Sequence, residues 1–177
     1  MGGDGTLRIR SRTPADLQAL GRVLEEQRPH TGYPQTWPLR YPVDRFIARA
    51  NELAAWVAEL DGEVVGHVSV TRPGSGQDAG PEARGWVAGA GRPLEDLAAV
   101  SVLFVDHRVS RRGTGRALLE TAVAFIRSLD RVPVLDVVQE SEGAVRLYLR
   151  NGWQVVGEAR PAWLPEGNLP VLLMVLR

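Results

Sequence analysis

The stretch Leu103–Ile126, LFVDHRVSRRGTGRALLETAVAFI, decides how this chain folds. It starts within an apolar run, Val100–Val105, that reads as a buried strand. A short arginine-rich turn follows, and Arg111-Arg112-Gly113-Thr114-Gly115-Arg116 opens a long amphipathic helix, Thr114–Leu129. The first turn of a helix carries unpaired backbone N–H groups and the positive end of the macrodipole. Glycines there let an anionic ligand approach the backbone, and arginines beside it add charge-assisted hydrogen bonds. The pattern reads as a strand–turn–helix that holds phosphate.

Several phosphate-binding classes are excluded by composition. All 21 basic residues are arginine, so neither the lysine of a Walker loop nor the strand lysine of a kinase is present. A dinucleotide fingerprint needs a third glycine where Leu118 stands.

The arrangement resembles instead the acyl-CoA site of the GNAT N-acetyltransferases, whose signature is an apolar strand end, a short loop and Q/R-x-x-G-x-G/A at a helix start. Leu103-Phe104-Val105 matches the strand end, and Ser110-Arg111-Arg112-Gly113-Thr114-Gly115 matches the loop, followed by Arg116. Ser110 departs from the pattern, which has Gln or Arg there; that phosphate contact is either lost or supplied by Arg111. A second segment, Ser141-Glu142-Gly143-Ala144-Val145-Arg146-Leu147-Tyr148-Leu149-Arg150-Asn151-Gly152-Trp153, is similar to the family's N-x-x-A-x-x-x-Y-x-x-x-G-F, with Ser141 for Asn and Trp153 for Phe. Ala144, Leu147 and Tyr148 share one helix face by their spacing.

The resemblance implies an α/β fold with a mixed, mostly antiparallel sheet of about six to seven strands, helices on both faces and strands splayed at the acyl-CoA site. It implies acetyl-CoA as co-substrate and acetyl transfer to a primary amine by direct attack on the thioester. The expected cofactor contacts are Leu103, Phe104, Val105, Ser110, Arg111, Arg112, Gly113, Thr114, Gly115, Arg116, Ser141 and Ala144. Tyr148 is the expected proton donor to the leaving thiolate, and the Val105 N–H the expected oxyanion partner. Read as structure alone, Tyr148 is a packed helix aromatic, Arg116 an i, i+4 partner of Glu120, and Ser141 an N-cap.

The general base is open. Ala98-Ala99-Val100-Ser101-Val102 carries no carboxylate. Asp106 reads as a turn cap, His67 as a satisfied core histidine, and His30 and His107 as solvated loop residues. A water chain or a desolvated acceptor amine can serve instead. No spacing of His, Asp or Glu argues for a metal.

Elsewhere the chain alternates strands and helices. Strands are expected at Leu7–Arg10, Ala55–Leu60, Glu63–Val70, Pro133–Val138, Gln154–Gly157 and Val171–Leu176, with Asp61-Gly62 as a hairpin turn. One helix starts at Thr13-Pro14-Ala15-Asp16 with Leu17, Leu20, Val23 and Leu24 as its apolar stripe, and a second covers Val43–Leu53. The proline-rich loop Pro29–Pro42 offers Tyr33, Trp37 and Tyr41, either as walls of an acceptor pocket or as a cover over the sheet. The Gly/Pro-rich segment Arg72–Glu95 is expected to be mobile and to order over the acceptor.

The 177 residues carry a formal net charge of zero and 44% hydrophobic residues, as in a globular domain with no bias toward nucleic acid or acidic membrane. Residues 1–6 are expected to be a disordered start, although Met1-Gly2 with Thr6 matches a myristoylation pattern, and residues 7–177 a single domain. No apolar run approaches a membrane span, and no signal peptide is expected. Zero cysteines exclude disulfides and thiolate chemistry and fit a reducing cytoplasm. Arginine without lysine suggests a bacterial, GC-rich source. The expected partner is a small-molecule amine; a protein acceptor, a non-catalytic acyl-CoA-binding role and a homodimer stay open.

Overall fold

The computed structural model describes residues 5–74, 80–110 and 112–177. Seven strands form one sheet in the order β1-β2-β3-β4-β5-β7-β6. They are β1 Leu7–Ser11, β2 Glu52–Leu60, β3 Glu63–Thr71, β4 Leu97–Val105, β5 Val132–Val137, β6 Gln154–Ala159 and β7 Val171–Val175. Only β4 and β5 pair in parallel; the other neighbours are antiparallel. The helices are α1 Leu17–Thr31, α2 Val43–Ile47, α3 Glu82–Ala90, α4 Thr114–Ser128 and α5 Glu142–Arg150. This is the mixed, mostly antiparallel α/β arrangement expected from the motifs.

Strand alternation sorts side chains to two faces. On β2, Val57 packs with α1 and α2 while Ala58 packs with α4 and α5. At the β2–β3 turn, Asp61 and Gly62 both have positive φ, 51° and 85°, the conformation an Asp-Gly hairpin demands. Thr13 starts the first helical turn: its N–H and hydroxyl both donate to Asp16 Oδ2, at 2.7 and 3.0 Å, and its carbonyl accepts from the Asp16 N–H at 3.0 Å.

The β2–β3 and β6–β7 pairings also shift register, but the slip that bears on the site is in β4. Val100 belongs to the α4 face, yet Val102, two residues on, belongs to the α1 face. Between the pairs His67↔Phe104 and Ser69↔Ser101, β4 carries one residue more than β3. The extra residue is a bulge, and Val102 sits in it at φ +50°, a conformation costly for a β-branched residue. A bulge bends its strand and resets which side chains face which way.

Two expectations need correction. The second helix stops at Ile47 rather than Leu53, because Glu52 pairs with Thr71 and the chain from Glu52 belongs to β2. The Arg72–Glu95 segment is not a mobile lid where it is described. Its residues 82–90 form α3, which packs on β6 and β7; Trp86 is 1% exposed and donates from Nε1 to Leu135 O at 2.9 Å. Residues 75–79 lie outside the described residues. The Thr6 N–H donates to Asp61 Oδ1 at 3.1 Å. Residues 1–4, with Gly2 of the myristoylation pattern, lie outside the described residues.

If α3 is anchored by Trp86, Trp86→Ala should lower the stability by about 3–5 kcal/mol in denaturant unfolding. A change below about 1 kcal/mol would mean that α3 is not part of the cooperative core.

Candidate acyl-CoA site

β4 and β5 pair only over Leu97–Ala99 and Val132–Val134. Past that point β4 continues to Val105, while β5 continues to Val137 bonded only to β7 on its other edge. The strands part and leave a gap, as the splayed arrangement requires. The Asp106 N–H turns to β3, donating to Val65 O at 2.7 Å. Backbone groups alternate in direction along an antiparallel edge, so the N–H groups of Leu103 and Val105 face the gap while that of Phe104 faces β3. Leu103 and Val105 are half-buried and Phe104 is buried in the α1-side core.

Helix α4 begins against this edge. Its N-cap, Gly113, is left-handed at φ +81°, and the first intrahelical bond runs from Ala117 N–H to Gly113 O at 2.9 Å. The N–H groups of Thr114, Gly115 and Arg116 therefore have no acceptor within the helix. A Cβ on Gly115 would lie 3.7 Å from the side chains of both Leu147 and Val105, an ordinary contact. The protein's own packing does not require glycine there; what glycine leaves open is space between the start of α4, β4 and α5. Backbone donors, a helix dipole and that space fit a pyrophosphate approaching along the backbone.

The side chains expected around the loop divide. Ser110 and Arg112 are exposed, and Arg112 lines a hollow of about 400 Å³ with Arg108, Asp61 and Glu63. Arg111 lies outside the described residues. The exposed Arg116 guanidinium donates from Nε to Glu120 at 2.7 Å, the i, i+4 pair the sequence offers. Ser141 is the N-cap of α5, its carbonyl accepting from the Val145 N–H at 3.0 Å, although its hydroxyl makes no capping bond. Ala144 is half-buried on the α4–α5 core.

Tyr148 is buried in that core, edge-on to Trp153 with ring centroids 6.0 Å apart. Burial pushes its phenol pKa well above the usual value, and Tyr33 and Asp136 push it further up. Asp136 stands on β5 two residues past Val134, the last to pair with β4, and between Leu135 and Val137, which face α4. It therefore faces the opposite side of the sheet, toward α1 and α3. Tyr33 packs there too, 5.8 Å from Phe46. Tyr33 and Asp136, on the far face, thus act on the Tyr148 phenol electrostatically, and Asp136 follows directly on the end of the β4–β5 pairing. Asp136 was not among the expected site residues, although a carboxylate inside the apolar run VPVLDV was a visible signal. Trp37 is half-buried against the α1-side core, as a cover, and Tyr41 is exposed.

The other titratable candidates are occupied. Asp106 is buried and accepts from the backbone N–H of Arg108 at 2.8 Å and from its guanidinium at 2.6 Å. Those bonds, the guanidinium's first, hold its carboxyl below the usual range, as a turn cap rather than a base. His30 lies in α1, not in a loop, and stacks on His107 with centroids 3.9 Å apart. His67 is fully buried. Its Nδ1 lies 2.8 Å from Val102 O, and its Nε2 3.0 Å from Arg12 Nη1. Burial, with the charges of Arg12 and Arg49, pushes its pKa down to about 3 against the opposing bond to Val102. Among the described residues no group of three or more His, Cys, Asp or Glu could hold a metal ion, and no helix is long and apolar enough to cross a membrane.

A sequence profile described as the Acetyltransferase (GNAT) family matches residues 19–153. The chain belongs to that family and is an acyltransferase that moves acetyl groups from acetyl-CoA. Among curated protein sequences none matches. Solved structures share the fold at low identity. NAA60 of Arabidopsis thaliana in complex with acetyl-CoA is similar at a TM-score of 0.70 with 19% identity, over 96% of this chain and 97% of that one. The ribosomal-protein-S18-alanine N-acetyltransferase of Escherichia coli is similar at 0.66 with 16% identity, over 97% and 93%. A spermidine N-acetyltransferase chimera from Vibrio cholerae and human is similar at 0.66 with 18% identity, over 96% and 94%.

Two outcomes follow from this geometry. Gly115→Val should fold but bind acetyl-CoA at least about tenfold more weakly in calorimetry, because its side chain fills the approach to the backbone. Unchanged affinity would place the pyrophosphate elsewhere. Separately, His67 takes up a proton in the unfolded chain near its ordinary pKa but in the folded chain only near pH 3. Its contribution to stability is therefore present above about pH 6.5 and lost as pH falls toward 3. His67→Asn should flatten the stability–pH slope between about pH 6.5 and 4; an unchanged slope would mean that the imidazole is not held neutral.

Proposed function

We propose that this enzyme acetylates the primary amine of a small molecule in the bacterial cytoplasm, with Tyr148 as the acid and Asp136 as the carboxylate that receives the amine. The carrying observation is the parting of β4 and β5 after Ala99 and Val134, which puts Asp136 just past the last paired residue of β5 while the buried Tyr148 feels its charge. The pantetheine arm lies along the Leu103–Val105 edge, with the pyrophosphate on the first turn of α4. The acceptor enters from the α1 side, past Tyr33, Trp37 and Tyr41. Asp136 takes a proton from the ammonium, and the free amine attacks the thioester carbonyl carbon. Negative charge collects on the carbonyl oxygen beside the Val105 N–H. The new C–N bond stays, the C–S bond breaks, and the Tyr148 hydroxyl passes its proton to the sulfur. The proton left on nitrogen returns the phenol to its neutral form.

A phenol whose pKa is raised stays protonated across the neutral and mildly alkaline range, which suits an acid for a thiolate. The half-buried rings of Tyr33 and Trp37 suit a small ligand and desolvate its amine, which lowers the amine's pKa, while Asp136 accepts the proton the amine gives up. The absence of cysteine and the choice of arginine over lysine support the cellular setting.

The direct test is thiol release from acetyl-CoA across a panel of small amines, peptides and folded proteins. Turnover with small amines supports this reading; turnover confined to peptides or proteins replaces it with protein acetylation. Tyr148→Phe should lower kcat by about a hundredfold with little change in acetyl-CoA Kd, because it removes an interaction made in the transition state. Equal kcat, with chemistry rate-limiting, would leave Tyr148 a core residue only.

A further inference from the structure

We infer that His67 is a positioning residue: from within β3 it holds Val102 in its left-handed conformation and so aims the Leu103 and Val105 N–H groups into the acyl-CoA gap. The inference rests on reading the β4–β5 gap as the acyl-CoA cleft.

Val102 is one of three non-glycine residues with positive φ among the described residues, and it alone is β-branched. Left to itself, Val prefers extended backbone, which would erase the bulge and turn the edge of β4 over by one residue. Something must hold the carbonyl of Val102 in place. His67 Nδ1 stands 2.8 Å from that oxygen.

The imidazole is itself held in one tautomer. The Arg12 guanidinium can only donate, so Nε2, 3.0 Å away, must be the acceptor and Nδ1 must carry the hydrogen. Arg12 is fixed in turn by two bonds to Glu52, at 2.6 and 2.9 Å, and by one to Ile47 O at 3.3 Å. A chain of partners therefore runs Glu52–Arg12–His67–Val102 across four neighbouring strands or their ends, and ties the end of α2 to the bulge. His67 is fully buried and stacks on Phe104, with ring centroids 5.5 Å apart, so it does not touch substrate. Two hydroxyl bonds brace the other side of the bulge. Ser69 Oγ donates to Ser101 O at 3.1 Å, and the hydroxyls of Thr71 and Ser101 meet at 2.8 Å.

The test compares two near-isosteric variants by acetyl-CoA calorimetry, with thermal unfolding to confirm that each is folded. His67→Asn keeps a donor near the position of Nδ1; His67→Gln places its amide near Nε2 and leaves Val102 O without its donor. His67→Asn should bind acetyl-CoA within about threefold of the unsubstituted protein, and His67→Gln about tenfold more weakly or worse. Val102→Gly supplies the second arm, since glycine adopts positive φ at no steric cost. In the Val102→Gly background the His67→Gln loss should shrink to within about threefold, a non-additivity that mere packing would not produce. Equal losses for the two variants, or an undiminished loss in the Val102→Gly background, would overturn the inference alone. No acetyl-CoA binding by the unsubstituted protein would overturn the cleft reading and the inference with it.

Discussion

The catalytic side of this protein depends on two parallel strands that are hydrogen-bonded at one end and not at the other. β4 and β5 hold together over Leu97–Ala99 and Val132–Val134, then separate. Backbone N–H groups inside a sheet are normally consumed by a neighbouring strand. Here the Leu103 and Val105 groups are left facing a gap, and a polar ligand can take the place of the missing strand. The first turn of α4 adds three more N–H groups without helical acceptors, beside the same edge.

Leaving backbone donors unpaired is tolerable only if the rest of the region is tightly held. The α4–α5 face packs Leu118, Leu119, Ala122, Val123 and Ile126 against β2–β5, and α1 and α2 close the other face over Val57, Val102 and Phe104. Beyond them α3, anchored by Trp86, covers β5–β7. Tyr148 comes from one face, and Asp136 and Tyr33 from the other. Burial keeps the phenol protonated, and the carboxylate across the gap reinforces that state. The same desolvation that protects an acid also favours a neutral amine nucleophile.

The motif helix and the Asp61-Gly62 hairpin were readable in the sequence because their signals are local: glycines, arginines and turn residues at short fixed spacings. The Tyr148 helix was readable for the same reason. What the sequence concealed depends on distant partners. Residues 82–90, EARGWVAGA, have two glycines and weak helical propensity, and become α3 because Trp86 finds a slot against the sheet and a carbonyl on β5. The β4 bulge carries no glycine to announce it. Val102 is left-handed because of His67, and His67 is oriented by Arg12, 55 residues earlier. His30 and His107 looked solvated because nothing in either neighbourhood points to the other, yet they stack. Asp136 showed only as a polar interruption in an apolar strand, and its place at the site follows from where the β4–β5 ladder ends.

The account's central claim is that the unpaired edge of β4 and the start of α4 together receive acetyl-CoA. The most direct measurement is an amide ¹H–¹⁵N titration of the isotope-labelled protein with acetyl-CoA. The account predicts that the largest shifts fall on Leu103 and Val105 in the strand and on Thr114, Gly115 and Arg116 in the helix. Shifts concentrated elsewhere, with these five amides unmoved at saturation, would contradict it.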